Sequence, residues 1–226
     1  MKFFSRNKET SNPAIIINRS LEFLLNRITD DVEREEYSWD KSWGVKRFES
    51  IILAKFILDY SFERIAEGQL SDDEKYGYYD LSNTSFSSLF NKEFSEVGMN
   101  FDDMQKEIEE KIETYFTANR ENPRPPARYY QIYMLLTGSR SRGELEEKAK
   151  MITLGLKLLR NNVNFATMVT QYEDQIKCLK KQVVAFDLAE IMLPHIFRSA
   201  RQKIKNINLK KIQVISNKLA KKDKKK

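Results

Sequence analysis

Apolar residues recur at steps of three and four along most of this chain, the spacing that places them on one face of an α-helix. The first such run begins after Asn12, an N-cap residue, with Pro13 at the first helical position. A second run extends from Phe48 to Ile65, and a third begins after Asn100 with an acidic first turn. These runs predict a mostly helical protein.

Residues 69–99 interrupt this pattern. They are rich in Ser, Asp and Tyr, their periodicity is weak, and Gly77 and Gly98 punctuate them. We therefore predict a loop here, containing one short helix over residues 86–94.

Three prolines in the segment "ENPRPPARYYQ", residues 121–131, predict a second boundary. Proline disfavours helical geometry in the residue before it, so the preceding helix ends here and Pro126 begins the next one. The same letters match the polyproline ligand pattern P-x-x-P-x-R. We favour a helix start, because Arg128 would lie inside that helix whereas a ligand must be extended.

The longest periodic run follows the capping box of Ser141 and Glu144 and continues to Phe197. Its length indicates either a coiled coil or two packed helices. We favour two helices with a break at residues 161–164, because three asparagines in four positions are poor helix formers. Pro194 is expected to kink the last of these helices or to start a new one.

Together these patterns predict an all-α fold, an irregular multi-helix bundle with long C-terminal helices and a basic helical or disordered tail. We divide it into an N-terminal helical lobe over residues 1–120 and a C-terminal helical hairpin over 121–197 packed on that lobe. Residues 198–226 form the third part, a basic amphipathic arm that ends in a disordered lysine-rich tail.

Charge is distributed unevenly between these parts. The net charge is +6, and residues 198–226 contain 12 Lys or Arg against one acid, Asp223, which gives +11. Residues 1–197 therefore carry 6 − 11 = −5. This asymmetry indicates an acidic body with a cationic arm. The residues that we expect to contact an anionic surface are Arg198, Arg201, Lys203, Lys205, Lys210, Lys211, Lys218, Lys221 and Lys222.

The sequence favours a non-enzymatic interaction or adaptor protein whose body docks a protein partner and whose arm binds nucleic-acid phosphates. One alternative is an anionic membrane, with Ile212, Ile215 and Leu219 lying in the interface. A second is an enzyme whose site is assembled from scattered Asp, Glu and Arg residues. A third is that the lysines only solubilise the chain end.

Candidate chemistry elsewhere is sparse, and we predict no catalytic residue, cofactor or metal. Cys178 and His195 are 17 residues apart in one helical run, roughly 25 Å along its axis, which is too far for a nucleophilic pair. The segment "GSRSRG" precedes a helix and offers Arg140 and Arg142 as a candidate anion site. Four aromatic residues in polar contexts are candidate partner contacts or lids over helix ends: Trp39, Trp43, Tyr78 and Tyr79.

The location expected from the sequence is cytoplasmic. The N-terminal residues lack the apolar core of a secretory signal. The longest apolar stretch, residues 183–197, contains Asp187, Glu190 and His195 and is too short to cross a bilayer. The oligomeric state is left open.

Overall fold

The computed structural model describes residues 12–33, 43–138, 140–159 and 166–223. All regular secondary structure in these residues is helical, which confirms the all-α prediction. The α-helices are α1 (Pro13–Glu33), α2 (Trp43–Ala66), α3 (Asp72–Phe94), α4 (Phe101–Glu121), α5 (Ala127–Thr137), α6 (Arg142–Leu159), α7 (Ala166–Ile204) and α8 (Leu209–Asp223), and a 3-10 turn (Ser95–Val97) follows α3.

The helix boundaries set by local capping chemistry are found where the sequence predicts them. The side-chain oxygens of Asn12 and Asn100 accept hydrogen bonds from the backbone NH groups of Ala14 (3.1 Å) and Asp103 (3.0 Å). Gly138 ends α5 with a φ of 64°, a left-handed conformation that glycine adopts without strain. The helix start predicted at Pro126 is found one residue later, because α5 begins at Ala127 and Pro126 is its N-cap residue.

The prediction of a loop over residues 69–99 is wrong, because α3 occupies most of this range. Ser71 and Glu74 form a capping box in which each side chain bonds the other residue's backbone NH, at 3.4 and 2.8 Å. Two positions on the buried side of α3 are the small residues Gly77 and Ser82. Because these two buried residues are small, the helical spacing of large hydrophobic side chains is interrupted in this segment.

Two compact units make up the described chain. The first unit contains residues 12–29, 47–116 and 195–223, and the second contains residues 117–194 and the described parts of 30–46. The prediction separated residues 198–226 as an arm, but α7 runs through Pro194 to Ile204, and α8 belongs to the first unit. A new helix start at Pro194 is therefore also wrong.

Helix α2 is the centre of the first unit. Its residues from Ile51 to Leu58 are buried on every side, including Lys55. The ring of Phe56 lies 5.4 Å from that of Tyr115, 5.0 Å from Phe116 and 6.1 Å from Phe197. Aromatic contacts thus join α2 to α4 and to the end of α7 within this unit.

A polar cluster is enclosed in the same core. The Lys55 ammonium forms an ion pair with Asp59 and donates to the Ser82 hydroxyl at 3.0 Å. The hydroxyls of Ser82 and Tyr78 donate to the other Asp59 oxygen, at 2.8 and 3.0 Å. Because each buried group has a partner, the cluster avoids the cost of an isolated buried charge.

Helices α3 and α8 approach each other closely at Gly77. The Gly77 backbone NH donates to the Ser216 hydroxyl at 2.7 Å, and that hydroxyl lies 2.7 Å from the Glu74 carbonyl oxygen, to which it can donate. A Cβ atom on Gly77 would lie only 2.8 Å from the Ser216 backbone nitrogen. The absence of a side chain at this position therefore sets the distance between the two helices.

The second unit contains α6 and residues 166–194 of α7, which belong to the two helices that the sequence favours for the long run. The predicted break at residues 161–164 lies outside the described residues. Phe186 of α7 packs its ring 4.9 Å from Tyr133 and 5.6 Å from Tyr130, both on α5. The capping box of Ser141 and Glu144 begins α6 as predicted.

Candidate functional site

Lysines cover one side of α8. At about 100° per residue, the positions of its exposed lysines fall within an arc of about 120°. These lysines, hereafter the lysine face, are Lys210, Lys211, Lys218, Lys221 and Lys222. No Asp or Glu occurs among residues 209–222, and the acid of α8 is Asp223, its last residue. The face extends over about 18 Å from Lys210 to Lys222 at 1.5 Å per residue.

The opposite side of α8 is packed. Ile212 is 0% and Ser216 4% exposed, and Leu219 is half-buried. The Gln213 side chain also donates a hydrogen bond to Glu74 of α3. That bond and the bonds from Ser71 keep the pKa of Glu74 below its usual value, with those from Ser71 having the larger effect. The helix therefore has one lysine-rich side and one side that contacts the first unit.

A second group of cations lies at the end of α7. Arg198 and Arg201 of α7 and Lys205, the residue that follows it, are exposed. The Lys205 backbone NH still bonds the Arg201 carbonyl oxygen at 3.0 Å, and at helical spacing the three positions fall within an arc of about 60°. We call these three residues the basic stripe. Lys203 was predicted with them, but it is half-buried and its ammonium lies 4.1 Å from the centre of the Phe23 ring. It therefore makes a cation–π contact with α1.

The candidate anion site at Arg140 and Arg142 is not supported by the position of Arg142. Its guanidinium contacts Glu146 at 3.0 Å and Asp187 at 2.8 Å, and it donates to the Tyr130 hydroxyl at 2.8 Å. The hydrogen bond to Glu146 and the charge of Asp187 raise the pKa of Arg142. Two carboxylates already neutralise this cation, whereas Arg140 is exposed.

Tyr78 and Tyr79 have different surroundings from those predicted. Tyr78 is fully buried, with its ring stacked on Phe62 at 3.6 Å between centroids, so it is a core residue and no surface anchor. Burial and the neighbouring Asp59 raise its pKa well above the usual value. Tyr79 is half-buried and donates to Glu63. Trp39 and the side chain of Trp43 lie outside the described residues.

One surface was missed by the sequence reasoning. Val184, Leu188 and Ile191 lie on one side of α7 and are 53%, 43% and 63% exposed. We call them the apolar stripe. Lys177 and Lys180 are exposed on the same side, in the two turns before it. Their spacing of four and three is visible in the sequence.

Cys178 and His195 are both exposed on α7, and their separation of 17 residues in one helix keeps them roughly 25 Å apart along its axis. Among the described residues there is no group of three or more His, Cys, Asp or Glu side chains that could hold a metal ion. None of the helices in the described part of the chain has an apolar segment long enough to cross a bilayer.

Comparison with known proteins yields no relative. No protein-family model, curated protein or solved structure matches the chain.

Proposed function

We propose that this chain is a non-enzymatic helical interaction protein that binds the phosphate backbone of a nucleic acid through the lysine face of α8. The observation that carries the proposal is that five exposed lysines lie on one side of a helix with no acid among residues 209–222. Lysines at such a surface replace counterions on phosphates, which gives affinity without sequence preference. The basic stripe adds three more cations within the same unit.

The packing of α8 favours phosphates over a membrane as the target. A helix that lies in a membrane interface inserts its apolar side among the lipids. On α8 that side includes Ile212 and Ser216, which are buried in the first unit. Insertion would require α8 to separate from α3, whereas contact with phosphates uses the side that is already exposed.

A matched pair of triple variants tests the proposal. Lys218→Gln, Lys221→Gln and Lys222→Gln together change three members of the lysine face. The control changes three exposed lysines of α6, Lys148→Gln, Lys150→Gln and Lys157→Gln, with the same change in charge. Binding to duplex DNA and to single-stranded RNA is measured by fluorescence anisotropy from 50 to 300 mM salt.

We expect the first variant to lower the slope of log affinity against log salt by up to about 2.7 on duplex DNA, at about 0.9 per lost contact. The control should keep the slope of the wild type. Equal slopes for both variants would contradict the proposal. Binding of the wild type to vesicles with anionic lipid, without binding to either nucleic acid, would assign the face to membranes instead.

We also propose that the apolar stripe docks an amphipathic helix of a protein partner. The stripe exposes three large apolar side chains in a row, and the exposed Lys180 one turn before it is complementary to a partner helix with an acidic residue at one end. The test compares Leu188→Ser/Ile191→Ser with Met151→Ser/Leu154→Ser, an exposed apolar pair of α6. Crosslinks to an acidic helix should disappear only in the first variant. Their persistence there would refute docking at the stripe.

A further inference from the structure

An open cleft lies between the end of α2 and the turn that joins α7 to α8. Its volume is about 860 Å³. Three cations line it, Arg64 from α2, Lys205 from the turn and Lys210 from the start of α8, together with Gln69 and Asn208. No carboxylate is among the residues that line it.

The position of this cleft connects the two basic surfaces. Lys205 belongs to the basic stripe and Lys210 to the lysine face, and both line the cleft. A polyanion that contacts both surfaces by the shortest route therefore crosses the cleft. In the cleft the polyanion contacts Arg64, which lies about 140 positions before Lys205 in the chain. A charge count of the C-terminal end does not include this residue.

The side chains of the cleft differ in their availability. The Asn208 side chain caps α8, because its oxygen accepts from the Lys210 backbone NH at 3.1 Å. Arg64 contacts Glu67 at 2.9 Å, but both side chains are more than half exposed. An exposed ion pair of this kind contributes little to stability, so a phosphate can replace Glu67 as the partner of the guanidinium.

We propose that the nucleic-acid backbone passes from the basic stripe through this cleft to the lysine face, and that Arg64 binds a phosphate on the way. This inference rests on the proposed function and adds a specific contact to it. The guanidinium donates to the non-bridging phosphate oxygens, a geometry in which arginine forms two hydrogen bonds. The apolar Ile65, Ile207 and Leu209 line the rest of the cleft and offer a surface for the sugar.

The experiment uses the full chain with Arg64→Gln, and Arg19→Gln as the control. Arg19 is an exposed arginine of α1 in the same unit, so the two variants have the same chemical change. Affinity for duplex DNA and single-stranded RNA is measured as a function of salt, and thermal melting checks the fold. A third variant, Glu67→Gln, removes the acidic competitor of the phosphate.

Arg64→Gln should weaken binding several-fold and lower the salt slope by about 0.9 on duplex DNA or about 0.7 on a single strand. Arg19→Gln should leave both unchanged, and Glu67→Gln should strengthen binding. These three results together would support the path through the cleft.

Three outcomes would overturn it, and they differ in what else they affect. If the lysine-face variant loses affinity while Arg64→Gln does not, the cleft lies off the path and the proposed function stands. If the wild type binds no nucleic acid, the proposed function falls with the inference. If Arg64→Gln instead abolishes binding of ATP or pyrophosphate and leaves nucleic-acid affinity unchanged, the cleft is a site for a free phosphate ligand.

Discussion

Replacing Gly77 by alanine tests how α8 is held. In the interior of a helix this change usually stabilises, by about 1 kcal/mol, because alanine has the higher helix propensity. At Gly77 we expect the opposite sign. The added Cβ would lie 2.8 Å from the Ser216 nitrogen and 2.9 Å from the Ile212 carbonyl oxygen. Both are backbone atoms of α8, so no side-chain rotation can relieve the contact.

The expected magnitude follows from three contributions. Overpacking of a close contact costs about 1–3 kcal/mol. Moving α8 away also weakens the hydrogen bond from the Gly77 NH to Ser216, worth about 1 kcal/mol. The gain in helix propensity offsets about 1 kcal/mol. The free energy of unfolding should therefore fall by about 1–3 kcal/mol.

Urea unfolding followed by circular dichroism measures this change, and Gly155→Ala is the matched control. Gly155 is also inside a helix, α6, but a Cβ there meets no atom within 4 Å. That variant should be more stable than the wild type, by about 0.5–1 kcal/mol. Equal stability of the two alanine variants would refute the close contact of α3 and α8.

A double variant separates the side chain from the backbone in this contact. Ser216→Gly removes the hydroxyl that would lie 2.8 Å from the new Cβ, but it leaves the two backbone atoms in place. Gly77→Ala/Ser216→Gly should therefore regain little of the lost stability. Amide hydrogens of α8 should exchange faster in Gly77→Ala than in the wild type. Full recovery in the double variant would show that the hydroxyl alone causes the strain.

The buried polar cluster gives two further predictions. Lys55→Met should lower the free energy of unfolding by about 3–5 kcal/mol in urea titrations, because it leaves Asp59 buried without its cation. The double variant Lys55→Met/Asp59→Leu should regain most of that loss. A Lys55→Met variant as stable as the wild type would contradict this prediction. Tyr78→Phe removes a hydrogen-bond donor to Asp59 and should lower the free energy of unfolding by about 1–3 kcal/mol. Tyr115→Phe should change that free energy by less than about 0.5 kcal/mol, because the Tyr115 hydroxyl has no hydrogen-bond partner among the described residues. Burial raises the pKa of both tyrosines well above its usual value, so the unfolded chain releases their protons at a lower pH than the folded chain does. Stability should therefore fall as the pH rises above about 10. Each Phe variant should show a smaller fall in thermal melts at alkaline pH.

The helix starts could be predicted because their chemistry is local. Asn12, Asn100 and the capping box of Ser141 and Glu144 each satisfy backbone NH groups within three positions, so the sequence around them contains the whole interaction. The capping box of Ser71 and Glu74 carried the same signal. The loop prediction for residues 69–99 rested instead on the weak apolar period of the residues that follow it.

The interior of α3 could not be predicted for a different reason. Gly77 is buried because it meets Ser216, and Ser82 is buried because it bonds Lys55 and Asp59. Small and polar residues become core residues only through partners that are distant in the chain. The same reasoning explains Tyr78, whose polar neighbours in the sequence indicated a surface position.

Charge counting located the basic end of the chain but not its geometry. The contact of α8 with α3 decides which side of α8 is exposed. Its two residues, Gly77 and Ser216, are 139 positions apart in the chain. Lys203 was counted with the exposed cations although it faces Phe23, and Arg64 was left out although it lines the same cleft as Lys205. In both cases a tertiary contact decides the role of the side chain.

The contact between Gly77 and Ser216 also has a consequence for synthesis of the chain. The ribosome must translate residues 117–194, which belong to the second unit, before it reaches the last segment of the first. At 5–20 residues per second these 78 residues take about 4–16 s. During that interval the side of α3 that α8 later covers is without its partner in the nascent chain. A protein cut short after residue 194 would keep that side uncovered, which makes premature termination a route to aggregation for this fold.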